Sequence, residues 1–349
     1  MRTDSCQCGQ VLFFENTQCV RCQSPVGWCD SCRRMVTLLP TINGGLLCHQ
    51  PDCQATLALC ENYAKNQVCN WTRPDSSGDV FCTSCQLTEI IPDLSQPEHH
   101  YRWARLEAAK RRLLYSLDLL HLPYRRDDSA ANPPLRFRFL APSQSKDTPV
   151  TTGHQNGCIT LNLVEADDVE REKARVELEE PQRTLIGHFR HEIGHYYWDV
   201  FVAGQDEVER QFRDLFGDER SPTYQEALKQ HYENGPPENW QEDYISAYAT
   251  MHPWEDFAEC FAGYLDMVSL LDTAQQHQLL ERPNQHFPDM IQAYQRLAIG
   301  MNEMTRDRGL LDLIPEVISK KVGEKLAWIH QFVQVCESRA EKAQPMKLA

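Results

Sequence analysis

Twelve of the fifteen cysteines in this chain lie before residue 86, in short-spaced sets. Cys6-x-Cys8 is followed by Cys19-x-x-Cys22, Cys29-x-x-Cys32 and Cys48-x4-Cys53, then by Cys60, Cys69 and Cys82-x-x-Cys85. A pair of thiolates at such spacing forms a knuckle, a tight turn aimed at one tetrahedral zinc ion. The opening MRTDSCQCGQ has no apolar stretch ahead of its first cysteines, so the reading is of a cytoplasmic chain without a secretory signal. In that setting a cysteine cluster points to metal rather than to disulfides.

Twelve thiolates divide into about three structural zinc sites. In chain order, Cys6, Cys8, Cys19 and Cys22 form the first, Cys29, Cys32, Cys48 and Cys53 the second, and Cys60, Cys69, Cys82 and Cys85 the third. Interleaved pairings remain open, and His49 is a further candidate beside Cys48. Cys158, Cys260 and Cys336 have no paired spacing and read as buried small apolar residues. The segment lacks long apolar runs, so zinc is expected to stand in for a hydrophobic core. Residues 1–97 carry six Lys/Arg against nine acidic residues, with no basic stripe, which disfavours nucleic-acid docking. A structural or protein-binding module fits better.

Breaks at Ile91-Pro92-Asp93 and Gln96-Pro97 place a boundary there, giving a zinc-ribbon module over 1–95 and a second domain over 96–349. The whole chain carries 35 Lys+Arg against 50 Asp+Glu, a formal charge of −15, which argues against a general nucleic-acid or anionic-membrane binder. No run of about 20 apolar residues exists to span a bilayer.

After the boundary, Trp103, Leu106, Leu113, Leu114, Leu117 and Leu120 recur at helical spacing. Lys110-Arg111-Arg112 reads as that helix's solvated face. Leu135–Leu140 and Gly157–Leu163 alternate like strands. Ile159–Leu163 is the expected edge that would pair with an extended substrate, and His154 in the preceding loop is expected to be solvated. Residues 206–216, 222–232, 287–306 and 315–340 read as helices. In the last, Val317, Val322, Leu326, Ile329, Phe332 and Val333 form one apolar stripe.

The chemistry is concentrated in Thr184–Val202, which contains His191-Glu192-Ile193-Gly194-His195. Residues four apart share a helix face, so both imidazoles can hold one metal ion while Glu192 reaches a water on it. This H-E-x-x-H pattern is that of zinc metalloproteases. A catalytic zinc needs a third protein ligand, and HPWEDFAE offers one. Pro253 marks a helix start, and Glu255 and Glu259 follow at i and i+4 on an otherwise apolar helix. Carboxylates turn inward there only toward something cationic. His188 is expected to lie outside the metal shell.

The segments HPWEDFAE and RHEIGHYYWD, the N-terminal CxCG…CxxC, CNW at Cys69–Trp71, the W-x-x-L-E-x-A-K-R helix and the loop TGHQNG together resemble a bacterial family of zinc-binding metallopeptidases with an N-terminal zinc-ribbon domain. The likeness covers essentially the whole chain. A more distant similarity is to the gluzincin fold of the anthrax lethal factor catalytic domain, where a Tyr lies seven residues before the glutamate ligand. Tyr248 stands seven before Glu255 here. Asp256, where an aromatic residue stands in that relative, is expected on a solvent-facing position.

These resemblances imply an α+β architecture: a mostly helical zincin-like peptidase domain with a small sheet, behind the cysteine-rich module. They imply one catalytic Zn2+ held by His191, His195 and Glu255. Glu192 would act as general base, Tyr248 would stabilise the oxyanion, and Asp199 or Glu259 would be the outer carboxylate that orients a ligand imidazole. An exchange of Glu255 and Glu259 remains open. The implied activity is metalloendopeptidase hydrolysis of a peptide or protein, with a possible protein partner on the ribbon module. The rival reading is a catalytically silent zinc-binding adaptor, against which the presence of Glu192 counts.

Overall fold

The spacing of the N-terminal cysteines dictates short strands joined by tight turns, and the computed structural model, which describes residues 1–42, 44–142, 150–177, 183–281 and 286–343, shows them. Strands β1 (Asp4–Ser5) and β2 (Val11–Leu12) form a small hairpin. Strands β3 (Val26–Cys29), β4 (Arg34–Pro40), β5 (Leu46–Cys48), β6 (Thr56–Leu59) and β7 (Thr72–Pro74) form an antiparallel meander in sequence order. The β3–β4 turn carries the Cys29-x-x-Cys32 knuckle and closes with Arg33 at φ 52°. Short helices α1 (Glu61–Ala64) and α2 (Thr83–Gln86) present Cys60 and Cys82 at their N-caps. Strand β8 (Thr88–Ile90) follows.

Helix α3 (Pro97–Leu119), β9 (Arg136–Leu140), β10 (Gly153–Gln155) and β11 (Cys158–Asn162) lead into an otherwise helical remainder. Its helices are α4 (Asp168–Glu177), α5 (Leu185–Phe201), α6 (Asp206–Phe216), α7 (Tyr224–Asn234), α8 (Pro253–Gln276), α9 (Phe287–Arg306) and α10 (Lys320–Ala343). By packing, the chain forms two units: one of Met1–Arg112, Arg136–Thr151 and Leu161–Asp168, the other of Leu113–Leu135, Thr152–Thr160 and Val169–Ala349. Among the described residues no helix is long and apolar enough to cross a membrane.

The first unit buries Val36, Leu38 and Leu57 together with the thiols of Cys29 and Cys48. Trp28 stacks on Trp71 at 5.6 Å between centroids, with Phe14 edge-on to both. Its charged helix segment overturns one expectation. Lys110 and Arg111 are not solvated: both are buried. Lys110 pairs with the equally buried Glu107 at 2.7 Å, and both also meet Thr88 Oγ1. Arg111 donates to the Val68 carbonyl at 2.8 Å, and Arg112 to Glu15 at 2.7 Å. A partner met inside offsets part of the penalty that normally keeps a charge at the surface, so Lys110 and Arg111 can face inward while Arg112 stays exposed.

In the second unit α5 and α8 are the central pair. At their crossing Gly194 faces the Ala258 backbone so closely that a Cβ at 194 would lie 2.7 Å from Ala258 Cα. The central residues of H-E-x-x-H therefore serve packing as well as spacing. Helix α10 packs against α8, with Trp328 on Phe257 and His330 on Tyr264; Val322, Leu326, Ile329 and Val333 are buried, whereas Val317 precedes the helix and is exposed. The stripe therefore begins at Val322. Strand β11 is interior to its sheet and β10 is outermost, packed against α5. This corrects the edge expected at Ile159–Leu163, because sheet order depends on long-range pairing that local alternation does not encode.

Gly194→Ala is expected to destabilise the protein by about 1–3 kcal/mol, the usual cost of overpacking a close helix contact. Thermal or denaturant unfolding checks this, and an unchanged midpoint would show that the helices are free to move apart.

Candidate metal centre

Helix α5 starts where Thr184 caps it, the Thr184 hydroxyl accepting from Gly187 N–H at 3.0 Å. His191, Glu192 and His195 then fall on its inner half, with Glu192 and His195 buried. Helix α8 starts with Pro253 at its first turn. His252 is its N-cap, accepting from Trp254 N–H at Nδ1 and donating from Nε2 to the Glu219 carbonyl at 3.1 Å. That cap sets the rotation of α8 and turns Glu255 inward.

Three donor atoms meet. His191 Nε2 lies 3.1 Å from His195 Nε2, and Glu255 Oε2 lies 3.0 Å from the first and 3.3 Å from the second. Donors around a tetrahedral zinc at about 2.0–2.1 Å stand about 3.3 Å apart, so the triangle has the size that such an ion requires. His191 Nδ1 donates to Glu259 Oε1 at 2.6 Å, which assigns the ring proton to Nδ1 and leaves the Nε2 lone pair facing the triangle. Glu259 is fixed in turn by the Ser246 hydroxyl at 2.7 Å. Of the two carboxylates that the sequence left interchangeable, Glu255 faces both Nε2 atoms and Glu259 takes the outer place.

The charges agree with this arrangement. Burial works against charging His191, but hydrogen bonds and charge from Glu255 and Glu259 drive its pKa well above the ordinary imidazole value. Burial also disfavours a charged Glu255, yet the two histidines hold its carboxyl well below the usual range. Burial lowers the pKa of His195. Two carboxylates that favour positive charge at the imidazoles form a centre suited to a dication, which would take a proton's place on His191 Nε2.

Tyr248 stands beside His191, with 6.0 Å between ring centroids. The phenol keeps its proton: burial and the nearby Glu255 charge raise its pKa. Asp199 does not reach either of the converging imidazoles; its neighbour is His154, at 3.9 Å. One turn beyond His195 the α5 face has moved past the centre and toward β10, so helical spacing alone overextended the site. The His154 side chain is itself buried rather than solvated, and its Nε2 accepts from Gly157 N–H at 3.1 Å. Burial lowers its pKa to about 4 and raises that of Asp199 to about 6. His188 is not among the converging donors.

Asp256 also departs from expectation. It is fully buried and pairs with Lys325 of α10, whose ammonium also donates to the Asp243 carbonyl at 2.7 Å. The pair ties α10 to the first turn of α8, next to Glu255. Two aromatic residues were invisible to pattern reading. Trp254 lies over His195 with centroids 3.7 Å apart, and the Tyr224 hydroxyl donates to Glu255 Oε1 at 2.8 Å. Tyr224 arrives from α7, and no local signal in α7 announces it.

In the first unit the twelve thiols gather as Cys6/Cys8/Cys19/Cys22, Cys29/Cys32/Cys48/Cys53 and Cys60/Cys69/Cys82/Cys85, all unbridged. Resolved Sγ–Sγ distances of 3.5, 3.7, 3.9, 3.9 and 3.7 Å agree with the about 3.8 Å expected around zinc with Zn–S near 2.3 Å. His49 is not needed as a ligand: its Nδ1 accepts from Thr37 N–H at 3.1 Å.

Two models of known protein families match the chain. Residues 99–332 match the family model described as "Putative zinc-binding metallo-peptidase", and residues 4–96 match a zinc-ribbon domain. Uncharacterized proteins from Mycobacterium bovis and from two strains of Mycobacterium tuberculosis are each 41% identical over 343 residues, covering 95% of this chain and 95% of the relative. No solved structure matches the chain. The chain belongs to this zinc-binding metallo-peptidase family and carries an N-terminal zinc-ribbon domain.

Proposed function

We propose that this protein is a zinc-dependent peptidase of gluzincin type that hydrolyses peptide bonds in a peptide or protein substrate. The observation that carries this reading is the convergence of His191 Nε2, His195 Nε2 and Glu255 Oε2, with Glu192 on the same helix between the two histidines. His191, His195 and Glu255 would hold the ion. When bound there, zinc supplies a Lewis acid that polarises a carbonyl and acidifies water.

The protein's own groups do the rest. Glu192 accepts a proton from the attacking water and returns it to the departing amine. Tyr248, kept protonated by its surroundings, donates to the carbonyl oxygen as negative charge develops there. Glu259 keeps His191 in the tautomer that turns Nε2 inward. Trp254 covers His195, whose Nδ1 has no hydrogen-bond partner among the described residues. The ribbon module, taken as residues 1–95 ahead of a peptidase domain over 96–349, holds structural zinc and offers a surface for a protein partner.

Glu192→Gln should retain all bound metal while losing about 10²–10⁴-fold in peptide hydrolysis. Digestion of a degenerate peptide library, read by mass spectrometry beside elemental analysis, checks both, and retained turnover would remove Glu192 from the mechanism. Elemental analysis of the purified chain should give four zinc ions. Glu255→Ala should lose one of them outright, whereas Glu259→Ala should bind it about 10–100-fold more weakly. The reverse order would exchange the two roles.

A further inference from the structure

Glu255 has two oxygens in different surroundings, and the difference traces to one residue. Oε2 faces the two imidazoles, while Oε1 accepts the Tyr224 hydroxyl at 2.8 Å. A phenol has one proton to give, and Tyr224 gives it to Glu255.

Tyr224 is held firmly enough to impose this order. It opens α7 directly after Thr223, whose side chain and that of Glu226 complete a reciprocal capping box. The preceding loop is fastened by Arg213, which binds both Glu209 and Glu219, and the Glu219 carbonyl accepts from the His252 cap of α8. The Tyr224 ring packs edge-on against His252 at 5.4 Å and Trp254 at 6.0 Å. The loop, the cap of α8 and the ring contacts all constrain where the hydroxyl stands.

We propose that Tyr224 is a positioning residue that holds Glu255 to the metal through one oxygen. This rests on the His191/His195/Glu255 reading of the centre. A carboxylate free to turn both oxygens inward would take the coordination position that catalysis needs open. Engaging Oε1 from outside prevents this. Tyr224 itself needs no contact with the reacting atoms.

The test uses full-length Tyr224→Phe, which keeps the ring and its packing. The centre is emptied with dipicolinate, the ribbon sites retaining zinc, and refilled with zinc or with cobalt. Zinc affinity, from chelator competition, should fall about 10–100-fold, as for loss of other outer partners. The cobalt spectrum should change to the weaker visible absorption of higher coordination. With the peptide library, kcat should fall more than KM rises. Wild-type zinc affinity together with a wild-type cobalt spectrum would overturn the role of Tyr224. His191→Ala is measured in parallel: its failure to lose the ion would instead overturn the metal-centre reading and this proposal with it.

Discussion

The chemistry of this protein depends on how closely α5 and α8 approach. At Gly194 no side chain separates the helices, and the Ala258 backbone fills the space a Cβ would take. That approach lets a carboxylate from one helix reach two imidazoles on the other, leaving three donor atoms 3.0–3.3 Å apart. Three such donors in a dry interior need a shared proton or a bound cation between them, and a metal ion would balance all three at once. The surroundings serve the same end. Glu259 fixes one imidazole, Trp254 covers the other, and the Asp256–Lys325 pair braces the turn that carries Glu255.

The N-terminal module solves a different problem. Its strands are three to seven residues long in the meander and its core is small, so twelve thiols placed in three groups supply the cross-links that apolar area does not. Hydrophobic packing still takes part: the Trp28–Trp71 stack and Val36, Leu38 and Leu57 are fully buried. Metal and core reinforce one another, because Cys29 and Cys48 belong to both.

What sequence made legible was local. The twelve thiols lie together in the groups that chain order suggests, since knuckles and tight turns are short-range features. The i, i+4 histidines and the proline-started helix with its two carboxylates were equally readable, as was the mixed helix-and-sheet class. What escaped was set by distant partners. Lys110 and Asp256 read as exposed because a charge usually is, and only the fold reveals Glu107 and Lys325 beside them. Asp199 shares the helix with His195, but the next turn leads to His154. Tyr224 and Trp254 looked like ordinary helix residues, since nothing in their own segments specifies what lies opposite.

The central claim is that two imidazoles of α5 and one carboxylate of α8 form a zinc centre. Anomalous diffraction at the zinc absorption edge, from crystals of the full chain, tests it most directly. The account predicts a peak inside the His191 Nε2, His195 Nε2 and Glu255 Oε2 triangle, beside one in each cysteine group. Peaks in the cysteine groups with none at that triangle, in crystals grown with zinc, would contradict it.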